Sequence, residues 1–132
     1  VPENPARYAR INSPLNNPSV MLRASAVAAV GGYRDIHFME DYDLYARLIA
    51  GGWQVRNIPE ALTDFQVTDA QFSRRTGREM LAAELRMQRN LVSYGLISRP
   101  RAAFNVAARS AYRALPTGLL RRVYAVLFHR GE

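Results

Sequence analysis

The sequence predicts a mostly helical α+β piece of a protein, and three observations predict it. Residues 40–50, 76–94 and 100–127 carry apolar side chains at helical spacing, the last range as two helices separated by Pro116. Short runs rich in β-branched and aromatic residues predict strands at Ser19–Arg23, Trp53–Ile58 and Leu62–Val67. These strands are too few and too short to form a sheet alone, so we expect them to complete a sheet supplied by another part of a longer protein.

Composition limits the chain to one domain or part of one. It has 132 residues, of which 48% are hydrophobic and 22% charged, as in a folded globular protein. The absence of cysteine excludes disulfides, thiolate metal sites and cysteine nucleophiles. No apolar run reaches the roughly 18 residues that span a bilayer. The opening lacks an initiator methionine and is rich in Pro and Asn, so we expect a fragment whose residues 1–18 form an extended loop.

The chain divides into a mixed region, residues 1–75, and a helical region, residues 76–132, with a basic amphipathic tail. In the mixed region Ser25 is the predicted N-cap of a short helix that ends at Gly31-Gly32, and a second helix begins at Glu40 and ends at Gly51-Gly52. All 18 basic residues are arginine. Residues 95–132 hold seven of them and one acid, against eleven and ten in the preceding part. The basic character therefore belongs to the tail.

The acidic helix in GGYRDIHFMEDYDLYARL is the most informative stretch. Steps of about 100° per residue place Leu44, Tyr45, Leu48 and Ile49 on one arc and include Asp41 in it. Asp43 and Arg47 are predicted to pair on the opposite, solvent side. A carboxylate on a buried arc needs a partner or a use, because burying it alone costs several kcal/mol. The alternative interpretation is that the carboxylates of the first turn only stabilise the positive end of the helix dipole and have no catalytic role.

Other catalytic patterns find little support. Asp41-Tyr42-Asp43 has D-x-D spacing, but two residues on a helix are about 200° apart, so the two carboxylates point away from each other. His37 and His129 have no partners at ligand spacing, and we interpret both as surface or packing residues. The sequence shows neither a Ser-His-Asp arrangement nor a phosphate-binding glycine loop.

The run NPSVMLRASAVAAVGGYRDIHFMEDYDLYARLIAGGWQVRNIPEAL resembles the C-terminal half of the catalytic domain of family 2 glycosyltransferases, inverting enzymes of the GT-A fold. In that family a strand ending in Arg or Lys leads to a short helix, a Gly-Gly-aromatic turn and a Glu-Asp-x-Asp-Leu helix. The match covers Asn12 to Arg75, and its most specific part joins Gly31-Gly32-Tyr33 to Glu40-Asp41-Tyr42-Asp43-Leu44.

The resemblance implies transfer of a sugar from a nucleotide-sugar donor to a hydroxyl acceptor, with Asp41 as general base and Glu40, Asn17 and Arg23 as substrate-binding residues. It implies bacterial cell-envelope polysaccharide or glycolipid synthesis in the cytoplasm or on the inner face of the plasma membrane. A divalent cation, Mg²⁺ or Mn²⁺, would be held by ligands outside this chain. Thr68 stands where family members often have a histidine near the metal, so no metal ligand is carried over. We expect the fragment alone to be inactive and to self-associate.

A different class of function is a basic interaction module that binds an anionic membrane or another protein. In the tail, Arg101, Arg109 and Arg113 are predicted to lie opposite an apolar stripe that includes Phe104, Ala107 and Ala111. A solvated arginine face over ordinary helix packing would give the same pattern. Nucleic acid is not expected as a partner, because the tail has no interleaved aromatic platform.

Overall fold

The computed structural model describes residues 4–56, 58, 60, 62–64 and 78–114 of the chain. Five α-helices and one 3₁₀ helix account for the regular structure there. The helices are α1 (Pro5–Tyr8), α2 (Ala24–Ala29), α3 (Glu40–Ala50), α4 (Arg78–Ser93) and α5 (Arg99–Ala114), and the 3₁₀ helix is Asn17–Ser19. The expected helical majority is confirmed over this part of the chain. The helices predicted before and after Gly95–Pro100 are also confirmed, although residues 76, 77 and everything after 114 lie outside the described residues.

No strand is present within the described residues, so the segments predicted as strands do not pair with one another there. That they complete a sheet supplied by another part of the protein stays a prediction. Ser19 closes the 3₁₀ helix, and Val20 continues with extended dihedral angles but without a pairing strand. Residues 53–56, 58 and 62–64 likewise lack regular structure. An extended segment becomes a strand only when a neighbour accepts and donates its backbone hydrogen bonds. Residues 65–67 of the third predicted strand lie outside the described part.

The N-terminal loop prediction is corrected by helix α1. Asn4 is its N-cap, since its side-chain oxygen accepts a hydrogen bond from the Arg7 backbone N–H at 2.9 Å. Pro5 suits the first helical position because its missing N–H would have no intrahelical partner there. The N-cap of α2 is also corrected: the helix begins at Ala24 with Arg23 at the cap, so Ser25 lies in its first turn.

The glycine turn after α2 forms as predicted. Gly31 has φ +79° and follows Val30, the C-cap of the helix. Its N–H donates to Ala28 O at 3.0 Å, and the Gly32 N–H donates to Val27 O at 2.9 Å. This pair of bonds is a Schellman motif, in which a left-handed residue ends the helix and uses its last free carbonyls.

Helix α3 is buried on almost every side. Leu44, Tyr45 and Leu48 pack with Ala26 of α2 and apolar residues around it. Tyr42 and Ala46 face the other way and pack with Met80, Met87, Leu91 and other residues of a second cluster. The prediction of one buried arc is therefore incomplete, because α4 covers the side of α3 that was assigned to solvent. Asp43 is 0% exposed and Arg47 is 6% exposed, so their predicted solvent-side location is wrong.

Helices α4 and α5 form an antiparallel hairpin with polar groups inside it. Glu84 and Gln88, which interrupt the apolar face of α4, are buried together with Asn105 of α5. Gln88 donates to Glu84 at 2.9 Å, Asn105 donates to Gln88 at 3.0 Å, and Arg109 Nη1 donates to Glu84 Oε2 at 2.7 Å. We call Glu84, Gln88, Asn105 and Arg109 the Glu84 network. The network also binds the N-terminal segment, because Asn105 donates a hydrogen bond to Arg10 O and Arg109 donates one to Ile11 O.

The face of α5 predicted to be apolar and buried is exposed. Phe104 is 62% exposed, and Ala107, Ala108 and Ala111 also face solvent. Asn105 and Arg109 face the protein instead, because α4 offers them a buried carboxylate and a side-chain amide. Arg101 stays at the surface, with its guanidinium 5.6 Å from the centre of the Phe104 ring. In the described part of the chain no helix has the length and apolar character needed to cross a membrane.

The Glu84 network makes Arg109 a strong determinant of stability. Arg109→Ala leaves the Glu84 carboxylate buried without its ion-pair partner, and we expect a loss of about 3 kcal/mol in the free energy of unfolding. Urea titration followed by circular dichroism measures it. Arg86→Ala, at an exposed position of α4, is the matched control and should change stability by less than about 0.5 kcal/mol. Equal effects of the two substitutions would contradict this assignment.

Candidate functional site

The turn before helix α3 carries unusual backbone geometry. Phe38 has φ +65°, the only positive φ of a non-glycine residue in the described part of the chain. The Met39 N–H donates to Ile36 O at 2.8 Å, so residues 36–39 form a β-turn with Phe38 at its third position. A left-handed bulky residue costs about 1–2 kcal/mol. The surrounding structure holds this turn in place two residues before Glu40.

Asp41 lies in the first turn of α3 and is partly buried, whereas Glu40 is exposed. Burial raises the pKa of the Asp41 carboxyl above its ordinary value, and the neighbouring Glu40 charge raises it further. No hydrogen bond or ion pair from another described residue reaches its side chain. The carboxylate is therefore a stronger base than an ordinary surface aspartate, and its oxygens are available to a substrate proton.

Tyr45 connects two of the predicted site residues. It lies one turn after Asp41 on α3, is 0% exposed, and donates its hydroxyl to Asn17 Oδ1 at 3.1 Å. Burial raises the pKa of Tyr45, and the charge of Asp41 raises it further. Asp41 and Asn17 thus flank one buried phenol. Because the hydroxyl stays protonated, it holds the side chain of Asn17 toward α3.

The side chains of Glu40 and Arg23 form no hydrogen bonds with Asp41, Tyr45 or Asn17. Both are exposed, and within the described part of the chain neither side chain makes a hydrogen bond or ion pair. The backbone carbonyl of Arg23 accepts the first hydrogen bonds of α2, from Ala26 and Val27 at 3.0 and 3.1 Å. Glu40 thus adjoins Asp41 in the first turn of α3, Asn17 is bonded to Tyr45 of the same helix, and Arg23 is fixed only through its backbone.

Asp43 has the most densely bonded side chain near the candidate site. Its Oδ2 accepts from Arg47 Nε at 2.8 Å, and its Oδ1 accepts from Asn90 Nδ2 at 2.9 Å and from the Tyr94 hydroxyl at 2.7 Å. We call Asp43, Arg47, Asn90 and Tyr94 the Asp43 network. It joins α3 to the end of α4. A charge with no solvent exposure is stable there because three donors replace its water.

Arg47 extends this network to the glycine turn after α2. Its Nη1 donates to Val30 O at 2.5 Å and its Nη2 donates to Gly32 O at 2.7 Å. The planar guanidinium binds the Asp43 carboxylate on one edge and these two carbonyls on another. The Gly-Gly-Tyr turn and the acidic helix, which the sequence resemblance associates, are therefore one hydrogen-bonded unit.

Sequence reasoning missed Tyr45, Asn90, Tyr94 and the turn at Phe38. Arg34 donates to the Tyr94 hydroxyl at 3.1 Å, so the loop before α3 is bound to the same phenol as Asp43. Burial and the bond to Asp43 raise the pKa of Tyr94. Asn90 and Tyr94 lie 47 and 51 residues from Asp43 in the chain, and no local pattern connects them.

The described residues contain no group of three or more His, Asp or Glu side chains placed to hold a metal ion. Asp41 and Asp43 of the D-x-D sequence face different surroundings, one partly exposed and one fully buried by protein donors. The divalent cation expected with ligands outside this chain stays a prediction.

Comparison with known proteins finds similarity to glycosyltransferases. The chain is 32% identical over 124 residues to an uncharacterized glycosyltransferase of Haemophilus influenzae. It is 28% identical over 124 residues to UDP-Gal:alpha-D-GlcNAc-diphosphoundecaprenol beta-1,3-galactosyltransferase of Escherichia coli. It is 25% identical over 118 residues to the amylovoran biosynthesis glycosyltransferase AmsE of Erwinia amylovora.

These matches cover 94%, 94% and 89% of this chain but 46%, 45% and 44% of the respective relatives. The chain thus spans a little under half the length of the relatives it matches. No protein-family model matches it, and no solved structure matches it. The similarity is to part of a glycosyltransferase, and the fold of the family that the sequence resembles is not tested by these comparisons.

The Asp43 network predicts energetic coupling between Asp43 and Tyr94. Asp43→Asn replaces a carboxylate with a group that cannot accept from all three donors, and we expect a loss of about 3 kcal/mol in unfolding free energy. Tyr94→Phe removes one hydrogen bond and should cost about 1 kcal/mol. Combined, the two should lose about 1 kcal/mol less than their sum. Asp43→Asn with Tyr8→Phe, whose hydroxyl contacts Asn12 instead, is the control pair and should be additive.

The raised pKa of Asp41 predicts a stability cost of its ionised form. A carboxyl whose pKa is higher in the folded state adds stability below the unfolded value, near 3.8, and loses it as pH rises through the folded pKa. Asp41→Asn should therefore raise the denaturation midpoint at pH 7, with the gain vanishing below pH 3.8. Asp35→Asn, at an exposed position, serves as control. A lower midpoint at pH 7 for Asp41→Asn would show that the carboxylate is structurally required.

Proposed function

We propose that the protein to which this chain belongs transfers a sugar from a nucleotide-sugar donor to a hydroxyl acceptor, with inversion at the anomeric carbon and Asp41 as general base. The observation that carries the proposal is the Asp41 carboxylate, partly buried at the start of α3, with a raised pKa and its oxygens not bonded by other described residues. The similarity to three glycosyltransferases over nearly the whole chain supports the reaction class.

The chemistry of inversion suits a single carboxylate. In a direct displacement the acceptor hydroxyl attacks the anomeric carbon while the bond to the departing nucleoside diphosphate breaks. The base must take the hydroxyl proton as that oxygen becomes nucleophilic. A raised pKa strengthens Asp41 as a base, and its position on the first turn of a packed helix restricts its motion.

In this proposal Asp43 positions helix α3 and does not transfer a proton. Its carboxylate is enclosed by Arg47, Asn90 and Tyr94, so no acceptor hydroxyl can reach it. It fixes the helix that carries Asp41. Glu40 and Asn17 are proposed to contact the acceptor, since both are exposed, the first within α3 and the second bonded to it, and Arg23 is proposed as a further substrate contact.

The substrate class follows from the relatives. One is named for UDP-Gal and a diphosphoundecaprenol-linked GlcNAc acceptor, and another for the synthesis of amylovoran. We infer a lipid-linked or glycan acceptor in cell-envelope polysaccharide or glycolipid synthesis, on the cytoplasmic side and peripheral to the inner face of the plasma membrane. The family 2 and GT-A assignments, and a Mg²⁺ or Mn²⁺ ion bound by residues outside this chain, belong to the same proposal. So do the inactivity and self-association of the chain by itself.

A basic interaction module is the second candidate function, and the exposed arginines of α4 and α5 favour it. Arg86, Arg89, Arg99 and Arg101 are at the surface. Arg109 is removed from the predicted basic stripe because its guanidinium binds Glu84. Such a surface would attract an anionic bilayer, at up to about 1 kcal/mol per arginine. This function is compatible with sugar transfer to a lipid-linked acceptor.

Substitution of Asp41 in the complete enzyme tests the base assignment. Asp41→Asn keeps the shape of the side chain but removes the proton acceptor, so we expect turnover to fall about 10²–10⁴-fold with donor affinity unchanged. Single-turnover kinetics and calorimetry measure the two quantities. Glu40→Gln, the adjacent acid, is the matched control and should cost less. If Asp41→Asn kept more than about a tenth of wild-type turnover, Asp41 would not be the base.

A further inference from the structure

An open groove lies between helices α4 and α5, away from Asp41 and from the Asp43 network. It has a volume of about 760 Å³, and its surface is mainly apolar. The apolar side chains that line it are Leu85, Val92, Ala102, Ala103, Val106 and Ala107. Three of the six are alanines on α5, so short side chains form most of that wall. Gln88 of the Glu84 network also lines the groove, and no member of the Asp43 network does.

Two arginines also line the groove, one at its end and one near its middle. Arg99 is the first residue of α5, and Arg89 lies one turn before the end of α4. The two helices are antiparallel, with Gln88 bonded to Asn105, so Arg99 lies at the end of the groove next to the connecting turn and Arg89 lies near its middle. Leu85 and Ala107 lie at the opposite end. Positive charge is therefore confined to the part of the groove between its middle and the connecting turn, which we call the basic end. The opposite end, one helical turn from Arg89, is apolar.

The charges at the basic end have no partner within the described residues. The side chains of Arg89 and Arg99 are exposed and form no hydrogen bond or ion pair there. Residues 78–114 contain seven arginines and two glutamates, and one of the glutamates, Glu84, is bonded to Arg109. Residues 78–114 therefore carry a net positive charge. An anion placed between Arg89 and Arg99 would meet two guanidinium groups whose geometry suits phosphate oxygens.

We propose that this groove binds an amphiphile with an anionic phosphate or diphosphate head and an unbranched or isoprenoid apolar chain. The anionic head lies between Arg89 and Arg99. The first part of the ligand's apolar chain runs along the alanines of α5 toward Leu85 and Ala107. The inference rests on the proposed function, because it assigns a site to the lipid end of the acceptor. A purely apolar occupant would leave the two arginines unused, and a bare phosphate would leave the apolar surface uncovered.

Binding by the 132-residue chain can be measured with farnesyl phosphate, kept below its micelle concentration, by calorimetry and by amide shifts in NMR spectra. Farnesol tests binding of the isoprenoid part alone, and inorganic phosphate tests binding of the anionic head alone. We expect farnesyl phosphate to bind at least about tenfold more tightly than either, because each control lacks one half of the interaction. The largest amide shifts should be those of residues 85–93 and 99–107.

Three variants locate the site. Arg89→Glu reverses a charge in the groove, and we expect about a tenfold loss of affinity. Arg86→Glu makes the same change in net charge at an exposed position of α4 outside the groove, and should alter affinity less than about twofold. Ala103→Trp fills the groove from an exposed position and should abolish binding. Circular dichroism confirms that each variant is folded, and Arg89→Lys should restore part of the affinity.

Several results would overturn the proposal. Equal losses for Arg86→Glu and Arg89→Glu would show only general charge attraction, and equal binding of inorganic phosphate would show an anion site. If Ala103→Trp converts a dimer to a monomer in sedimentation, the groove is an interface between two copies. These readouts do not depend on turnover. If the Asp41→Asn test failed, the proposed reaction would be rejected while lipid binding could still be measured. If binding were not specific, the groove proposal would be rejected while the proposed reaction would stand.

Discussion

The fold around the candidate site depends on one buried charge, the carboxylate of Asp43. With no exposure to water, it is stable only when Arg47, Asn90 and Tyr94 are all in place. Those donors come from the same helix, from α4 and from the residue that follows α4. Arg47 in turn holds the carbonyls of Val30 and Gly32. Loss of one contact would leave a charge or a donor unsatisfied, so α3, the glycine turn and the end of α4 have to assemble together.

The Glu84 network applies the same principle toward the beginning of α4. There Arg109, Gln88 and Asn105 surround a second buried carboxylate and connect the hairpin to the carbonyls of Arg10 and Ile11. No buried side-chain nitrogen or oxygen in the described part of the chain lacks a hydrogen-bond partner. Helix α5 thus bonds the N-terminal segment through Asn105 and Arg109, and helix α4 bonds α5 near its middle and the acidic helix near its end. Polar contacts fix the relative placement of elements whose apolar surfaces alone would allow sliding.

Local signals predicted the local features of this structure. The end of α2 at Gly31-Gly32, the bounds of α3 and the break between α4 and α5 follow from glycine geometry and apolar spacing. Burial of polar residues could not be predicted in the same way. Periodicity treats Asp43, Arg47 and Arg109 as solvent-facing because it has no information on partners many residues away. The same limit explains helix α5, where Arg109 was predicted on a basic stripe opposite an apolar stripe with Phe104, whereas Arg109 binds Glu84 and Phe104 is exposed. The predicted strands do not form within the described residues because a strand requires a neighbouring strand, and the neighbours were expected from another part of the protein.

The two aspartates of the acidic helix show how environment assigns different roles to the same side chain. Asp43 is surrounded by donors, and its charge is used to hold helices together. Asp41, two residues earlier, points to the opposite side of the helix, where burial and Glu40 disfavour its charge and raise its pKa. A fold selected only for stability would gain by replacing Asp41 with a neutral residue, whereas replacing Asp43 would break the network. A carboxylate kept where its ionisation opposes folding is the pattern expected of a catalytic group. Because the Asp43 network bonds α3 to the end of α4, it also fixes the helix backbone from which the Asp41 side chain extends.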